Sequence, residues 1–403
     1  HSRKSNRLLP LAPHACYTHV GGREGPGMGL SGGVLELRAV ILAAGRGTRM
    51  MPLTQTRPKM MIPVLNRPIL EHILVGLRDA GAREFLLVTG HLGDQIADYF
   101  GDGSHWGVAI HYRPQDLDRG AKYGTAIAAG LGRDFVGDEP FLLTFGDIMT
   151  PPENYSSLMA AYQADPGSAF LCVNRVEDVS TGGAVFVRDG QVVDLVEKPP
   201  AGTASTPFIN SGIFILRPEV FAAIDELTPS ARGEYELTTA LARTIQEGLP
   251  TRAHELQGYW SNVGDPGEVM SLTRLCLQRL MAAREKTGRL LTGDRFRGPV
   301  FVGENVHIHP EARITGPAVI GDGCEIGKAH VGWYTTLGER CRVAHGGRIA
   351  ASVVLPGTTI GLNCRVGHAL VGSGVRLREN AQLLGTLEQT TVVGDGIEVA
   401  AAG

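Results

Sequence analysis

Beyond residue 298 the chain carries an aliphatic residue at every sixth position, a period that few folds can use. Val302, Ile308, Ile314, Ile320 and Ile326 form the first run. After a one-residue slip come Val331, Leu337, Val343, Ile349 and Leu355, and after another Ile360 and Val366, then Val371, Leu377 and Leu383. Hexads of this length predict a parallel β-helix, in which three short strands close one triangular coil and each coil buries the one before it. Small or thiol side chains stand four positions after many of the aliphatics: Ala312, Ala318, Cys324, Cys341, Thr359 and Cys364. The cysteines among them are expected to be small core fillers, not reactive thiols.

The 403 residues exceed what one hydrophobic core usually serves, so a second domain is expected ahead of the coil. From Arg38 to about Gly258 short apolar runs alternate with helix-period segments, the pattern of a mostly parallel sheet with helices on its faces. Strands are predicted at Ala39 to Leu42, Glu84 to Thr89, Val108 to Tyr112, Phe141 to Phe145 and Ala169 to Val173. Helices are predicted after Pro68, with Gly81 as stop signal, and at Thr125 to Leu131, Asn154 to Gln163, Tyr235 to Gln246 and Pro266 to Arg284. Residues 183 to 196 read as a β-hairpin turning at Asp189-Gly190, which makes the sheet mixed. Three segments follow: 1–34, a disordered extension or translated upstream stretch without the apolar core of a secretory signal; 36–290, an α/β domain; and 298–390, the coil, with Gly293 to Gly298 as linker.

Composition excludes several classes of function. A formal net charge of −3 gives no reason to expect nucleic acid, and no apolar run approaches the roughly 20 residues needed to cross a bilayer. Six cysteines, far apart and without a CxxC pair, argue against a zinc site and a disulfide framework and fit a reducing cytoplasm.

The chemistry gathers at Ala39-Val40-Ile41-Leu42-Ala43-Ala44-Gly45-Arg46-Gly47-Thr48-Arg49, with Pro58-Lys59 ten residues on. A buried-type strand opens into two glycines that can adopt positive φ and let amides approach an anion, and then come cations. A Walker loop is absent here and the third glycine of GxGxxG is missing, which lowers the kinase and dehydrogenase readings. Gly-x-Gly-Thr-Arg followed by Pro52-Leu53-Thr54 and Arg57-Pro58-Lys59 resembles the signature of the sugar-1-phosphate nucleotidylyltransferases, and residues 56–72 look most like the mannose-1-phosphate guanylyltransferase branch. The resemblance extends over about residues 36–390. It implies a Rossmann-like nucleotidyltransferase domain with a mixed, mostly parallel sheet, followed by a left-handed parallel β-helix of hexapeptide repeats, assembled into dimers or tetramers.

In such enzymes a sugar phosphate oxygen attacks the α-phosphorus of a nucleoside triphosphate and pyrophosphate leaves, so positioning and charge neutralisation carry the reaction. By the resemblance, Leu42, Ala43, Ala44, Gly45, Gly47 and Thr48 bind the nucleotide. Arg49 holds the triphosphate tail and Lys59 stands near the α-phosphate. Mg²⁺ is implied, with Asp147 as ligand at the end of the strand Phe141 to Phe145. Phe145 departs from the polar residue many relatives carry before Gly-Asp. Asn262, within Trp260-Ser261-Asn262-Val263-Gly264-Asp265-Pro266, occupies the position of the family's second metal-binding Asp, as it does in the N-acetylglucosamine-phosphate uridylyltransferases; Asp265 could cap the helix at Pro266. Glu197, Lys198, Asn210 and Gly146 are expected on the sugar-phosphate side. Gly124 and Thr125 are expected at the nucleobase, although Thr125 could equally cap a helix.

GTP with mannose 1-phosphate is the expected substrate pair. Glucose 1-phosphate with ATP, UTP, CTP or dTTP is the alternative, and a silent regulatory subunit is a third reading. The β-helix lacks the Asn-Tyr-Asp-Gly-type stretch of acyl-transferring relatives, so His330, His345 and His368 are read as structural or exposed, and the coil as an oligomerisation or allosteric element.

Overall fold

The computed structural model describes residues 37–116, 122–287 and 296–401. The predicted extension at 1–34 and residues 293–295 of the predicted linker lie outside them. Central strands of a doubly covered sheet are apolar on both faces, which is why their boundaries show in the sequence. The strands β1 (Arg38–Ala43), β2 (Glu84–Thr89), β3 (Ala109–Pro114) and β4 (Phe141–Phe145) are mutually parallel in the order β3-β2-β1-β4. Helix α1 (Ile69–Asp79) ends where Gly81, at φ 116°, turns the chain and the Ala82 amide bonds Leu77 O at 3.0 Å.

The sheet continues through β5 (Ala169–Arg175), the hairpin β6 (Gly183–Arg188) and β7 (Gln191–Glu197), β8 (Phe208–Leu216) and β9 (Thr251–Glu255), giving nine strands in the order β3-β2-β1-β4-β8-β5-β9-β7-β6. Strand β8 runs antiparallel to both β4 and β5, so the sheet is mixed, and the hairpin turns at Asp189 and Gly190, both at positive φ. Along β1 the side chains alternate: Ala39, Ile41 and Ala43 enter the core that includes α1, while Val40, Leu42 and Ala44 enter a second core on the opposite face. That second core is covered by α2 (Thr125–Gly130) and α3 (Leu237–Gln246). A long helix, α4 (Pro266–Thr287), leads out of the domain.

Residues Phe296 to Val399 form three six-stranded parallel sheets, a left-handed β-helix. Its strands begin at Phe296 and two more lie beyond residue 390, so the coil is longer at both ends than the hexads alone suggested. One hexad position differs from expectation. Val354, not Leu355, stacks between Leu337 and Val371, so the slip falls one step earlier in the chain. The same shift puts Thr358 rather than Thr359 at the small corner position. Thr358 is fully buried, donating to Gly372 O at 2.8 Å and accepting from the Val375 amide at 3.3 Å. Cys324 and Cys341 stand in its column, are buried and unpaired, and donate to carbonyls of the next coil at 3.0 and 3.3 Å.

Candidate active site

Two short turns carry the cations. After β1 the chain opens into residues 44–47, and Gly47 sits in the left-handed region at φ 64°. A β-carbon there would stand 2.9 Å from Lys59 Cβ and 3.0 Å from Thr54 Cγ2. Gly47 therefore lets the glycine loop and the Pro58-Lys59 turn touch, and Thr54 Oγ1 locks the contact by donating to Gly47 O at 2.8 Å. Gly45 differs from expectation: it has no positive φ, and a β-carbon would meet only Met60 Cε at 3.8 Å. Lys59 is 8% exposed, and its ammonium is ion-paired to Asp147 Oδ2. The Arg49 guanidinium lies against Gly264, where a β-carbon would come within 2.7 Å of it.

Asp147 follows β4 directly. The next two residues, Ile148–Met149, pair antiparallel with Ser261–Asn262, and the Val263 amide bonds Asp147 O at 2.9 Å. This small ladder brings Asn262 beside Asp147 from more than a hundred residues away. Asn262 is exposed and its side-chain amide has no hydrogen bond among the described residues. Asp265 caps α4: its Oδ1 accepts from the Glu268 amide at 3.0 Å, while Glu268 reaches back to the amides of Gly264 and Asp265, a reciprocal capping box. Among the described residues no three His, Cys, Asp or Glu gather as a metal cluster. One carboxylate and one amide oxygen still suit a cation such as Mg²⁺, which takes one or two protein ligands and fills the rest of its octahedron with water and phosphate.

On the acceptor side, β8 bulges between Asn210 and Phe214. Asn210 Oδ1 accepts from the Gly212 amide at 2.9 Å. Gly212, at φ 75°, has no room for a β-carbon against Phe145. Phe145, the departure from a polar residue before Gly-Asp, thus packs its ring against the bulge. The bulge buries Ser211, whose Oγ has no partner among the described residues, and Trp260 Nε1 donates to Ser211 O at 2.9 Å. Glu197 accepts from Thr238 Oγ1 at 2.6 Å and is paired with Arg232 at 3.3 Å; Arg232 also bonds Glu236 at 2.6 Å. Lys198 is exposed and at positive φ, its amide bonding Gly182 O at 2.9 Å.

At the opposite end, Gly124 approaches Tyr235 so closely that a β-carbon would fall 2.3 Å from its carbonyl oxygen. Thr125 caps a helix, but not the one it begins: its Oγ1 accepts from the Leu237 amide at 2.9 Å, at the start of α3. Gln115, just past β3, is buried with its Nε2 unpartnered among the described residues.

Leu42, Ala44, Gly45, Arg49, Lys59, Gly124, Thr125, Asp147, Glu197, Lys198, Asn210 and Asn262 all line one cleft of about 920 Å³. Gly47 and Thr48 line an adjoining recess of about 520 Å³ together with Arg46, Arg49 and Lys59. Two expected residues do not reach the cleft. Ala43 points into the core beneath the sheet, by the alternation of β1, and Gly146 is buried with its amide on Leu42 O at 2.9 Å, a close-packing glycine. Gln115, Tyr123, Arg232, Glu236 and Thr238 line the cleft without a signal in the sequence, whereas Ser211, next to Asn210, and Trp260, at the head of the 260–266 motif, line it from motifs the sequence already shows.

The nucleotidyl transferase family profile matches residues 38–279, and a GlmU-like C-terminal hexapeptide profile matches 300–390. A glucose-1-phosphate thymidylyltransferase of Streptomyces griseus is 31% identical, over 85% of this chain and 93% of its own. A low-salt glycan biosynthesis nucleotidyltransferase, Agl11 of Haloferax volcanii, is 33% identical over 85% and 94%, and a bifunctional protein GlmU of Methanocaldococcus jannaschii 30% identical over 83% and 77%. A Bacillus anthracis structure described as a glucose-1-phosphate thymidylyltransferase in complex with a sucrose aligns at TM-score 0.53 and 27% identity, covering 59% of this chain and 94% of that one.

Proposed function

The chain belongs to the nucleotidyl transferase family and is a sugar-1-phosphate nucleotidylyltransferase; from that premise we propose that it joins glucose 1-phosphate to a pyrimidine nucleoside triphosphate, dTTP or UTP, and releases pyrophosphate. The names of the thymidylyltransferase relatives support thymidylyl transfer, UTP being the other pyrimidine triphosphate of closest shape, and the guanylyl transfer to mannose 1-phosphate expected from residues 56–72 gives way to it. The buried, unpartnered Nε2 donor of Gln115, which lines the same cleft as Gly124, suits an acceptor on the base such as a pyrimidine carbonyl.

One observation carries the reading: Lys59, Asp147, Asn262, Arg49 and Lys198 meet in a single cleft. In it Arg49 binds the departing pyrophosphate and Lys198 the sugar phosphate, while Lys59 stabilises charge building at the α-phosphate. Glu197, held in place by Thr238 and Arg232, keeps lone pairs for a sugar hydroxyl. Asp147 and Asn262 would hold Mg²⁺, which when bound neutralises phosphate oxygens. Lys59 shares its charge between Asp147 and the phosphate, and its burial keeps competing water from the reacting oxygen.

Pyrophosphate release from five triphosphates crossed with several sugar 1-phosphates tests this. Highest kcat/KM is expected for dTTP or UTP with glucose 1-phosphate. A preference for GTP with mannose 1-phosphate would overturn the base and sugar assignment, and a flat panel with Mg²⁺ present would favour the regulatory reading.

A further inference from the structure

The turn that carries Lys59 is gripped from the far end of the chain. Asp395 lies just past Thr391–Val393, in the last coil of the β-helix. Its Oδ2 pairs with Arg57 Nη2 at 2.6 Å and accepts from Thr56 Oγ1, while its Oδ1 accepts from the Ser373 amide at 2.7 Å. Ser373 Oγ accepts from the same Arg57 nitrogen at 2.9 Å. The pair is largely shielded, with side-chain exposures of 15% and 17%. Pro52 packs on Gly394, where a β-carbon would stand 3.3 Å from its ring. Within the α/β domain Gln95 holds Thr56 O at 2.9 Å and His91 holds Thr54 O at 3.2 Å.

We propose that Asp395 is a positioning residue for nucleotidyl transfer: by gripping Arg57 and Thr56 it fixes the turn that sets Lys59 against Asp147. The coil thereby contributes to the reaction without reaching the cleft. Only Pro58 separates Arg57 from Lys59, and its φ is fixed, so a displaced guanidinium is transmitted to the lysine with little slack. Free rotation of the turn would cost orientation at the reacting atom, and shifts of about 1 Å can cost on the order of 100-fold. The proposal rests on the reading that Lys59 serves the α-phosphate.

The test uses the full chain and the best substrate pair from the panel. For Asp395→Asn, kcat is expected to fall roughly 10- to 100-fold, with KM for the sugar phosphate within about twofold because Lys198 and Glu197 are untouched. Hydrogen exchange should rise in residues 52–61 alone, and the Arg57→Met/Asp395→Asn double variant should be no worse than the poorer single. Glu398→Gln, on the same coil as Asp395, removes an exposed ion pair to Arg378 of the preceding coil and should leave kcat unchanged. If Asp395→Asn keeps kcat within twofold while Lys59→Met is inactive, the proposal fails and the reading of Lys59 stands. If Lys59→Met is active, both fall. Should Asp395→Asn unfold, Ser373→Ala decides in its place, with a kcat loss of roughly two- to tenfold, the worth of one hydrogen bond, expected and an unchanged kcat overturning the proposal.

Discussion

Gly47→Ala set beside Gly45→Ala separates a glycine that the backbone requires from one that the sequence motif merely contains. At Gly47 the added methyl meets two penalties. The left-handed backbone at φ 64° costs an alanine about 1–2 kcal/mol. A carbon 2.9 Å from Lys59 Cβ and 3.0 Å from Thr54 Cγ2 forces both away, an overpacking cost of about 1–3 kcal/mol. The sum is roughly 3 kcal/mol, or on the order of 10 °C in melting temperature for a domain of this size. Neither contact can relax cheaply, because Lys59 Cβ is fixed to its backbone and the Thr54 methyl sits on a rotamer held by the hydroxyl's bond to Gly47 O. At Gly45 the φ is ordinary and the nearest atom is the flexible end of Met60 at 3.8 Å, so the melting point should hold. Thermal melts with steady-state pyrophosphate release give both readings. Gly47→Ala should lose most of its kcat as Lys59 moves from Asp147, whereas any effect of Gly45→Ala should appear in KM for the triphosphate. A Gly47→Ala variant that melts and turns over like the parent would refute the claim that this glycine exists to let the two turns touch.

Asp147→Asn keeps the shape of the carboxylate but not its charge, and should lower kcat by roughly 100-fold or more while raising the Mg²⁺ concentration needed for half-maximal rate; a normal metal titration would remove Asp147 from the metal site. Thr358→Val should cost about 1–3 kcal/mol in urea unfolding, since it strands Gly372 O and the Val375 amide, and Thr359→Val next to it should cost almost nothing. Burial holds the His72 imidazole at a pKa of about 4, below its usual 6.5, so the unfolded chain binds the extra proton between those values. Stability from this group is complete above pH 6.5 and falls by roughly 3 kcal/mol as the pH drops to 4; His72→Gln should flatten that part of the stability profile.

What the sequence discloses depends on how local the cause is. Strands Glu84–Thr89 and Phe141–Phe145 fall on the residues expected, because a strand buried on both faces is apolar throughout and ends where the polar residues begin. The coil is legible through its period, and the one misplaced position, Val354 for Leu355, arises because adjacent aliphatics both look like core and only the stacking partner tells them apart. Strand β9, Thr-Arg-Ala-His-Glu, has almost no apolar pattern; it is a strand because β5 and β7 offer it edges on both sides. The cleft follows the same rule. Residues at strand ends and in glycine turns announce themselves. Gln115, Ser211 and Arg232 matter only for what distant segments bring near them, and Asp395 meets Arg57 across 338 positions.

The three faces of the coil are not equivalent, and the difference explains how the catalytic turn comes within its reach. Two faces present charged columns outward: Arg313, Arg348 and Arg365 on one, Glu325, Arg342 and Arg376 on another. The third presents Phe301, Val319, Val353 and Leu370, all buried in the same apolar cluster as Ile69 and Leu272 of the α/β domain. Around that shared core, Tyr334 bonds Gln278 at 3.1 Å and stacks under Arg274, both on α4, and Asn66 donates to Leu337 O at 2.6 Å. A dry face fixes the coil in position, because sliding it would expose apolar surface at about 25 cal/mol per Å². Polar contacts at its margin, such as those of Asn66 and Asp395, can then select one register. The sixfold period therefore does more than close a coil: by sparing one face for apolar residues it makes a rigid support on which the turn carrying Lys59 can be held.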